Sequence, residues 1–174
     1  TLCISQGQLV ENVIREAEKA YTGGKQPDNI LLTAPTGAGK SLLFQLPAIY
    51  LGKEYNLLTI VVSPLKALIV DQAEGLQDVG YERVAYASSD LSPEQKMEVY
   101  RAVREGEIDL FYLSPELLLS YDIRHFIGNR RIGMVVVDEA HTVTTWGKEF
   151  RVDYWFLGRY LGALKQNLGY SFPL

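Results

Sequence analysis

A glycine-rich turn between an apolar run and a helix-forming stretch constrains the fold more than any other feature of the chain. The turn reads Ala34-Pro35-Thr36-Gly37-Ala38-Gly39-Lys40-Ser41. The apolar run within residues 29–33 predicts a buried parallel strand, and a helix is predicted over 41–50. Glycine lets backbone N–H groups approach an anion closely, and the start of a helix adds free N–H groups and a positive dipole. The segment is typical of a phosphate-binding loop.

Two side chains at the end of this turn suit a nucleoside triphosphate. Lys40 offers a point charge to the β- and γ-phosphates, and the Ser41 hydroxyl suits a magnesium ion. The backbone of the loop would come from Pro35, Thr36, Gly37, Ala38 and Gly39. Because Ala34 stands where the strict pattern has glycine, the alternative is a chance glycine-rich turn. The strand before it and the helix after it favour the phosphate loop.

A second segment, far along the chain, carries two carboxylates at the end of an apolar strand. The strand is predicted over 134–137, and Asp138 and Glu139 follow it. Sites in open parallel sheets form at the carboxyl ends of strands, so Asp138 is expected to hold magnesium and Glu139 to orient or deprotonate a water. His141 is a candidate relay to a neighbouring segment. The alternative is an acidic helix N-cap, and the upstream loop favours the catalytic interpretation.

Strand and helix patterns alternate along the rest of the chain. This order predicts an α/β fold of three layers, with a mainly parallel sheet, right-handed crossovers and helices on both faces. A length of 174 residues suits one domain. Strands are predicted over 57–62, 83–87 and 109–113, and helices over 8–21, 65–76, 93–105 and 153–167.

Composition excludes several classes of protein. A net charge of −4 argues against a broadly basic nucleic-acid coat, although a local basic groove is compatible with it. The single cysteine, Cys3, excludes an internal disulfide and a cysteine-based zinc site within the chain. The most apolar stretch, 57–70, is interrupted by Ser63-Pro64 and Lys66, so no membrane span is predicted. We expect a cytoplasmic location in a bacterium or a nuclear one in a eukaryote.

Four further segments resemble the superfamily 2 helicases and, within them, the RecQ-like DNA helicases. They are Phe44-Gln45-Leu46-Pro47, Val61–Leu65 with Asp71-Gln72, Tyr112–Leu118, and the aromatic-rich stretch that begins at Trp146-Gly147. The resemblance implies a RecA-like P-loop NTPase domain that uses ATP and Mg²⁺. It also implies a DNA helicase motor that couples ATP hydrolysis to 3′-to-5′ unwinding in the full-length protein.

The resemblance also assigns residues to the two ligands. Gln8 is the candidate for reading the adenine base. Trp146 would offer a surface on which a DNA base stacks, and its alternative role is an anchor in the core. The candidate DNA contacts are Ser63, Lys66, Gln72, Ser114, Trp146, Phe150 and Arg151.

The resemblance further implies that residues 1–174 are the first of two RecA-like domains, ending before the next helicase motif. The second domain, single-stranded DNA and duplex junctions are the expected partners. Alternatives are an RNA helicase, or a superfamily 2 translocase or defence-system ATPase that does not separate strands. A non-catalytic nucleic-acid-binding module is a further alternative, against which Lys40, Asp138 and Glu139 argue.

Overall fold

The computed structural model describes residues 5–33, 39–139 and 148–174, and from 148 to 155 it describes the backbone alone. These residues form seven helices and four strands, which alternate much as the sequence predicts. The strands are β1 (Leu58–Val62), β2 (Val84–Ala87), β3 (Leu110–Leu113) and β4 (Ile132–Val137). The helices are α1 (Gln6–Tyr21), α2 (Leu42–Tyr55), α3 (Lys66–Asp78), α4 (Pro93–Arg104), α5 (Pro115–Ser120), α6 (Ile123–Ile127) and α7 (Lys148–Leu168).

The four strands are parallel and lie in the order β2-β3-β1-β4. Val62 pairs with Leu113 on one side and with Val137 on the other, so the residues after β1, β3 and β4 emerge at the same level. We call this end of the sheet the carboxyl edge and the opposite end the amino edge. The segments that the sequence singles out after strands therefore meet at the carboxyl edge.

Helices cover both faces of the sheet, as the sequence predicts. On one face, α1, α2 and α3 pack over a core that includes Ala48, Ile69 and Tyr112. On the other face, α4, α5, α6 and α7 pack over a core that includes Phe111 and Phe126. Every residue of β1 is buried, because its side chains alternate between these two cores. The fold has the predicted three layers.

The apolar run before the phosphate loop does not form the predicted strand. Residues 29–33 are irregular, and the side chain of Leu31 is 89% exposed. The backbone N–H of Ile30 donates to the carbonyl of Leu174 at 2.9 Å, while that of Val135 in β4 donates to the carbonyl of Pro173 at 3.1 Å. The prediction of a buried strand is therefore wrong, because residues 173–174 separate the run from β4 and leave it at the margin of the sheet.

The last helix buries only part of the stripe that its apolar spacing indicates: Leu164 is buried and Tyr160 packs against the core, but Phe156 is largely exposed. Helical spacing links Phe156, Tyr160 and Leu164, yet Phe156 is 48% exposed. The stripe formed by Leu157, Leu161 and Leu164 is buried against the sheet instead. The two stripes share Leu164 and both have helical spacing, so periodicity alone does not decide whether Phe156 or Leu157 is buried.

A charged network closes the amino edge. Asp109, which precedes β3, is 2% exposed and accepts hydrogen bonds from Arg83, Arg130 and Tyr81 at 2.7–3.1 Å. Arg130 is buried as well and also donates to the backbone carbonyls of Val103 and Ile108. A buried carboxylate is tolerated when it is paired and hydrogen-bonded in this way. The network holds together the segments that enter three strands of the sheet.

None of the helices in the described ranges combines the length and apolarity that a bilayer crossing requires.

Candidate nucleotide and nucleic-acid site

The end of the glycine-rich turn runs directly into α2. Gly39 has φ +71°, a left-handed conformation that favours glycine, and α2 follows Ser41. Ser5, Ser92 and Ser114 each cap a helix by accepting a backbone N–H, whereas Ser41 makes no such bond within the described part of the chain. The Ser41 hydroxyl is thus not committed to starting its helix. Pro35, Thr36, Gly37 and Ala38 lie outside the described residues.

The start of α1 lies against this turn. A Cβ atom added to Gly39 would lie 3.1 Å from Nε2 of Gln6, so the Gln6 side chain packs closely on the loop backbone. Gln8 has a different role in the structure, because its Oε1 accepts the backbone N–H of Ser5 at 2.9 Å in a capping box. The role of Gln8 in reading the adenine base remains a prediction. The close approach of Gln6 to Gly39 adds Gln6 as a second candidate for this role.

The acidic segment leaves the carboxyl edge in a tight turn. The N–H of Asp138 still belongs to the sheet and donates to Val62 at 2.9 Å, while the N–H of Glu139 donates to Oδ1 of Asp138 at 2.9 Å. Glu139 has φ +54°, which is uncommon for a residue with a side chain and often marks a functional site. His141 lies outside the described residues.

A side chain from α3 reaches the same carboxylate. Nε2 of Gln72 donates to Oδ2 of Asp138 at 3.3 Å, so each oxygen of Asp138 faces an N–H donor. Gln72 is half-buried, which restricts the movement of the amide. The sequence interpretation assigns Gln72 to the DNA contacts, but the structure directs its side chain to the acidic turn.

A second buried amide links α2 to the sheet beneath the site. Nε2 of Gln45 donates to the hydroxyl oxygen of Tyr112 at 3.2 Å, and both residues are buried. Burial raises the pKa of Tyr112 to about 12, and the nearby negative charge of Asp138 acts in the same direction. The helix that follows the glycine-rich turn is therefore fixed by a neutral hydrogen bond to β3.

The chemistry of Asp138 and Ser41 fits magnesium. Carboxylate and hydroxyl oxygens are hard donors, and Mg²⁺ is commonly bound by one or two protein groups together with water and substrate phosphates. Within the described ranges, there is no cluster of three or more acidic, histidine or cysteine side chains that would form a metal cage. So small a set of protein ligands is compatible with a magnesium site that the phosphates of a nucleotide would complete. The roles of Asp138 and Ser41 as magnesium ligands remain predictions.

Three of the predicted DNA contacts lie at the carboxyl edge. Ser63 is buried, and its hydroxyl has no hydrogen-bond partner among the described residues. Ser114 caps α5 by accepting the N–H of Leu117. Lys66, at the first position of α3, contacts the hydroxyl of Ser89 and lies 3.3 Å from a carboxylate oxygen of Asp90.

The aromatic-rich stretch lies mostly outside the described residues. Trp146 lies outside the described residues, as do the side chains of Phe150 and Arg151, whose backbone belongs to α7. Sequence reasoning missed Gln6, Tyr112 and Asp90. Asp90 could have been found, because it follows β2 and so belongs to the same sheet edge as the other motifs.

The known proteins whose sequences are similar to this chain are helicases. The sequence model of DEAD/DEAH box helicases matches residues 12–169. The chain is 35% identical over 139 residues to the ATP-dependent DNA helicase RecQ of Bacillus subtilis (strain 168), an alignment that covers 80% of this chain and 22% of the relative. It is 40% identical over 141 residues to the ATP-dependent DNA helicase RecQ of Synechocystis sp., which covers 80% of this chain and 28% of the relative. The chain thus spans about a quarter of the length of these relatives.

Solved helicase structures have the same fold. The helicase domain of Pyrococcus furiosus Hef superposes with a TM-score of 0.62 at 21% identity, covering 95% of this chain and 30% of that one. Mycobacterium smegmatis helicase Lhr, solved with single-stranded DNA and AMP-PNP, superposes with a TM-score of 0.55 at 28% identity, covering 89% of this chain and 21% of that one.

Proposed function

The chain belongs to the DEAD/DEAH box helicase family, and on this premise we propose that it is the first motor domain of a RecQ-like, ATP-dependent DNA helicase. The observation that carries the proposal is the hydrogen bond between Gln72 and Asp138. It joins the acidic turn to α3, the helix whose first residue is the candidate DNA contact Lys66. A helix that links the proposed nucleotide site to the proposed nucleic-acid site would allow DNA to stimulate ATP hydrolysis.

ATP would bind between the glycine-rich turn and the acidic turn. Lys40 would neutralise charge on the β- and γ-phosphates, and the backbone around Gly39 would donate N–H groups at the start of α2. Gln6 or Gln8 would contact the adenine base from α1, which packs on α2. The placement of Gly39, Lys40 and Ser41 at the helix start supports this mode of binding.

Hydrolysis would use the two carboxylates differently. Asp138 and Ser41 would hold Mg²⁺, which when bound neutralises charge that develops on the phosphates. Glu139 would orient or deprotonate the attacking water, and His141 would relay the change toward the DNA site. Since both oxygens of Asp138 face N–H donors, groups of the protein itself hold the orientation of its carboxylate.

DNA would lie along the carboxyl edge, where Lys66 would contact a phosphate. The Lhr helicase, which shares this fold, binds single-stranded DNA in its solved structure and so supports a strand as the ligand. Trp146 would provide a stacking surface worth about 1–3 kcal/mol per base. Unwinding with 3′-to-5′ polarity would need a second RecA-like domain. That domain would also supply an arginine finger, a group worth roughly 10³–10⁵ in rate.

The first test measures nucleotide binding by this chain. Fluorescent ATP should bind with Mg²⁺, and Lys40→Ala should weaken binding by at least about tenfold, because it removes the charge on the phosphates. The matched control is Lys53→Ala, an exposed lysine at the other end of α2, which should leave the affinity unchanged. Equal affinity in all three proteins would reject the proposed phosphate loop.

The second test measures turnover in a protein that contains both motor domains. ATP hydrolysis should rise with single-stranded DNA, and Glu139→Gln should abolish hydrolysis while leaving ATP binding intact. Hydrolysis that does not respond to DNA would favour a different motor of the same family. ATP binding without hydrolysis in the unaltered two-domain protein would favour the non-catalytic module.

A further inference from the structure

A basic pocket lies at the amino edge of the sheet, on the opposite side from the proposed nucleotide site. Its volume is about 550 Å³, and it is bounded by the loop after α1, the start of β4 and the end of α7. Arg131 lines this pocket and immediately precedes β4, whereas Asp138 immediately follows β4. A strand of six residues spans about 20 Å at roughly 3.3 Å per residue, so the two sites do not overlap.

The charge of the pocket is uniformly positive. Lys25, Arg131 and Lys165 line it, and no carboxylate does so among the described residues. Within the ranges whose side chains are described, none of these cations forms an ion pair. Three cations and no carboxylate around one pocket make it locally basic although the net charge of the chain is −4, because a local charge depends on how the charged residues are distributed.

Two of these cations are held in place by aromatic rings. The guanidinium carbon of Arg131 lies 4.9 Å from the ring centroid of Tyr21 and 4.6 Å from that of Tyr170. Tyr170 is fixed in turn, because its hydroxyl accepts the N–H of Ile132 at 3.0 Å. Lys165 lies 5.2 Å from the ring centroid of Phe172, and partial burial lowers its pKa. A cation positioned in this way loses little side-chain freedom when it binds a ligand.

Neutral hydrogen-bonding groups complete the lining. Gln26, Gln166 and Ser171 border the pocket, and the Ser171 hydroxyl donates to Oε1 of Gln26 at 2.7 Å. That bond leaves the Gln26 amide with N–H groups to donate. Glycines at 24, 162 and 169 contribute no side chains, so the space between the cations is preserved. A volume of about 550 Å³ falls in the range of small-molecule sites and exceeds what a lone inorganic phosphate needs.

We propose that this pocket binds a phosphate-bearing anion about the size of one nucleotide, at a site separate from the proposed ATP site. A phosphate carries more charge than a carboxylate and so matches several cations, and its oxygens suit the planar N–H groups of arginine. The phosphate would belong to a free nucleotide or to one unit of a nucleic-acid strand. Because only amino-edge residues form this site, its binding of phosphate is independent of the proposed function.

The test follows backbone amide signals of Arg131, Gly162 and Gly169 by nuclear magnetic resonance. Three phosphate probes are titrated separately at constant ionic strength: inorganic phosphate, AMP without Mg²⁺, and an oligothymidylate of eight nucleotides without terminal phosphates. Acetate is titrated as the carboxylate reference. We expect saturable shifts of these signals with phosphate. Tighter binding of AMP would assign a free nucleotide, and tighter binding of the oligonucleotide would assign a strand.

Paired variants make the result specific. Lys25→Gln combined with Lys165→Gln should weaken phosphate binding by at least about tenfold, because two charge-assisted contacts are lost. Lys53→Gln, an exposed lysine on α2 that does not line the pocket, should leave binding unchanged. Unchanged spectra away from the pocket would show that the variants remain folded. No saturable shift with any phosphate probe, equal binding of acetate, or undiminished binding in the double variant would overturn the proposal.

Discussion

The side-chain amide of Gln72 donates to Oδ2 of Asp138 at 3.3 Å, and this bond joins a helix to the acidic turn across the carboxyl edge of the sheet. Gln72 lies in the second turn of α3, and Lys66 is the first residue of that helix. A displacement of α3 by bound DNA would therefore move a donor that orients the proposed magnesium ligand. Under the proposed function, this bond would be a physical route by which DNA binding changes the rate of ATP hydrolysis.

Replacing Gln72 by leucine should lower the DNA-stimulated rate of ATP hydrolysis by about 10- to 100-fold in a protein with both motor domains, as loss of a group that orients a metal ligand does elsewhere. The KM for ATP should change little, because the phosphate loop is untouched. Steady-state kinetics with saturating single-stranded DNA measures both quantities. Glu74→Ala, an exposed change on the same helix, is the control. A rise in KM at unchanged kcat would show that Gln72 serves nucleotide binding instead.

The contact between Lys66 and Asp90 should compete with DNA. Both side chains are at least half exposed, so the ion pair itself is weak. Asp90→Asn should release Lys66 for a phosphate and tighten binding of single-stranded DNA by up to about fivefold at low salt, with a smaller gain as salt rises.

The measurement is fluorescence anisotropy of a labelled oligonucleotide at several salt concentrations. Asp78→Asn, at the end of α3, removes the same charge away from Lys66 and serves as the control. In a Lys66→Gln background, Asp90→Asn should have no further effect. An equal gain from Asp90→Asn in that background would indicate a general charge effect.

Two glycines in helices should respond to alanine in opposite ways. A Cβ atom on Gly52 in α2 would lie 2.6 Å from a carboxylate oxygen of Asp109, while one on Gly75 in α3 would have nothing within 4 Å. Gly52→Ala should lower the free energy of unfolding by about 1–3 kcal/mol, because the rigid network around Asp109 cannot yield. Gly75→Ala should raise it by about 0.5–1 kcal/mol through helix propensity. Urea denaturation gives both values, and equal effects would contradict the close packing at Gly52.

Alkaline pH should destabilise the protein through Tyr112. Its pKa is raised from the ordinary 10 to about 12 in the folded protein, so its stabilising effect is complete below pH 10 and is lost as the pH rises through about 12. One such group changes the free energy of unfolding by up to about 1.4 kcal/mol per pH unit in this window. Urea denaturation of Tyr112→Phe between pH 9 and 12 should show a correspondingly smaller slope. The exposed Tyr121→Phe should retain the full slope.

Much of the fold follows from patterns within short stretches of sequence. The capping serine at 92, followed by proline, fixes the start of α4, and the apolar run after Asp109 becomes β3 as predicted. Such signals act locally, so they can be interpreted without knowing the neighbours. The order of strand and helix then places Ser63, Ser114 and Asp138 at one edge.

Two relations that the sequence does not indicate depend on partners that are distant along the chain. The exposure of Leu31 depends on residues 173–174 lying beside β4, and the contact of Gln72 with Asp138 depends on how α3 packs. Neither relation leaves a periodic signature in its own segment. The contact between Lys66 and Asp90 also depends on a distant partner, because it joins the start of α3 to the loop that follows β2. Sequence therefore indicates which elements meet at the carboxyl edge but not how their side chains connect.

The pairing of Ile30 with Leu174 has a consequence for the order of folding. The segment that leads into the phosphate loop touches the sheet through residues near position 174, and the Leu174–Asn29 contact spans 145 residues. Contacts between such distant positions form slowly, since a long loop must close before they stabilise the chain. Strands β1, β3 and β4 can assemble beforehand, together with Asp138. Residues 29–33 would then reach their final position late, when Ile30 pairs with Leu174.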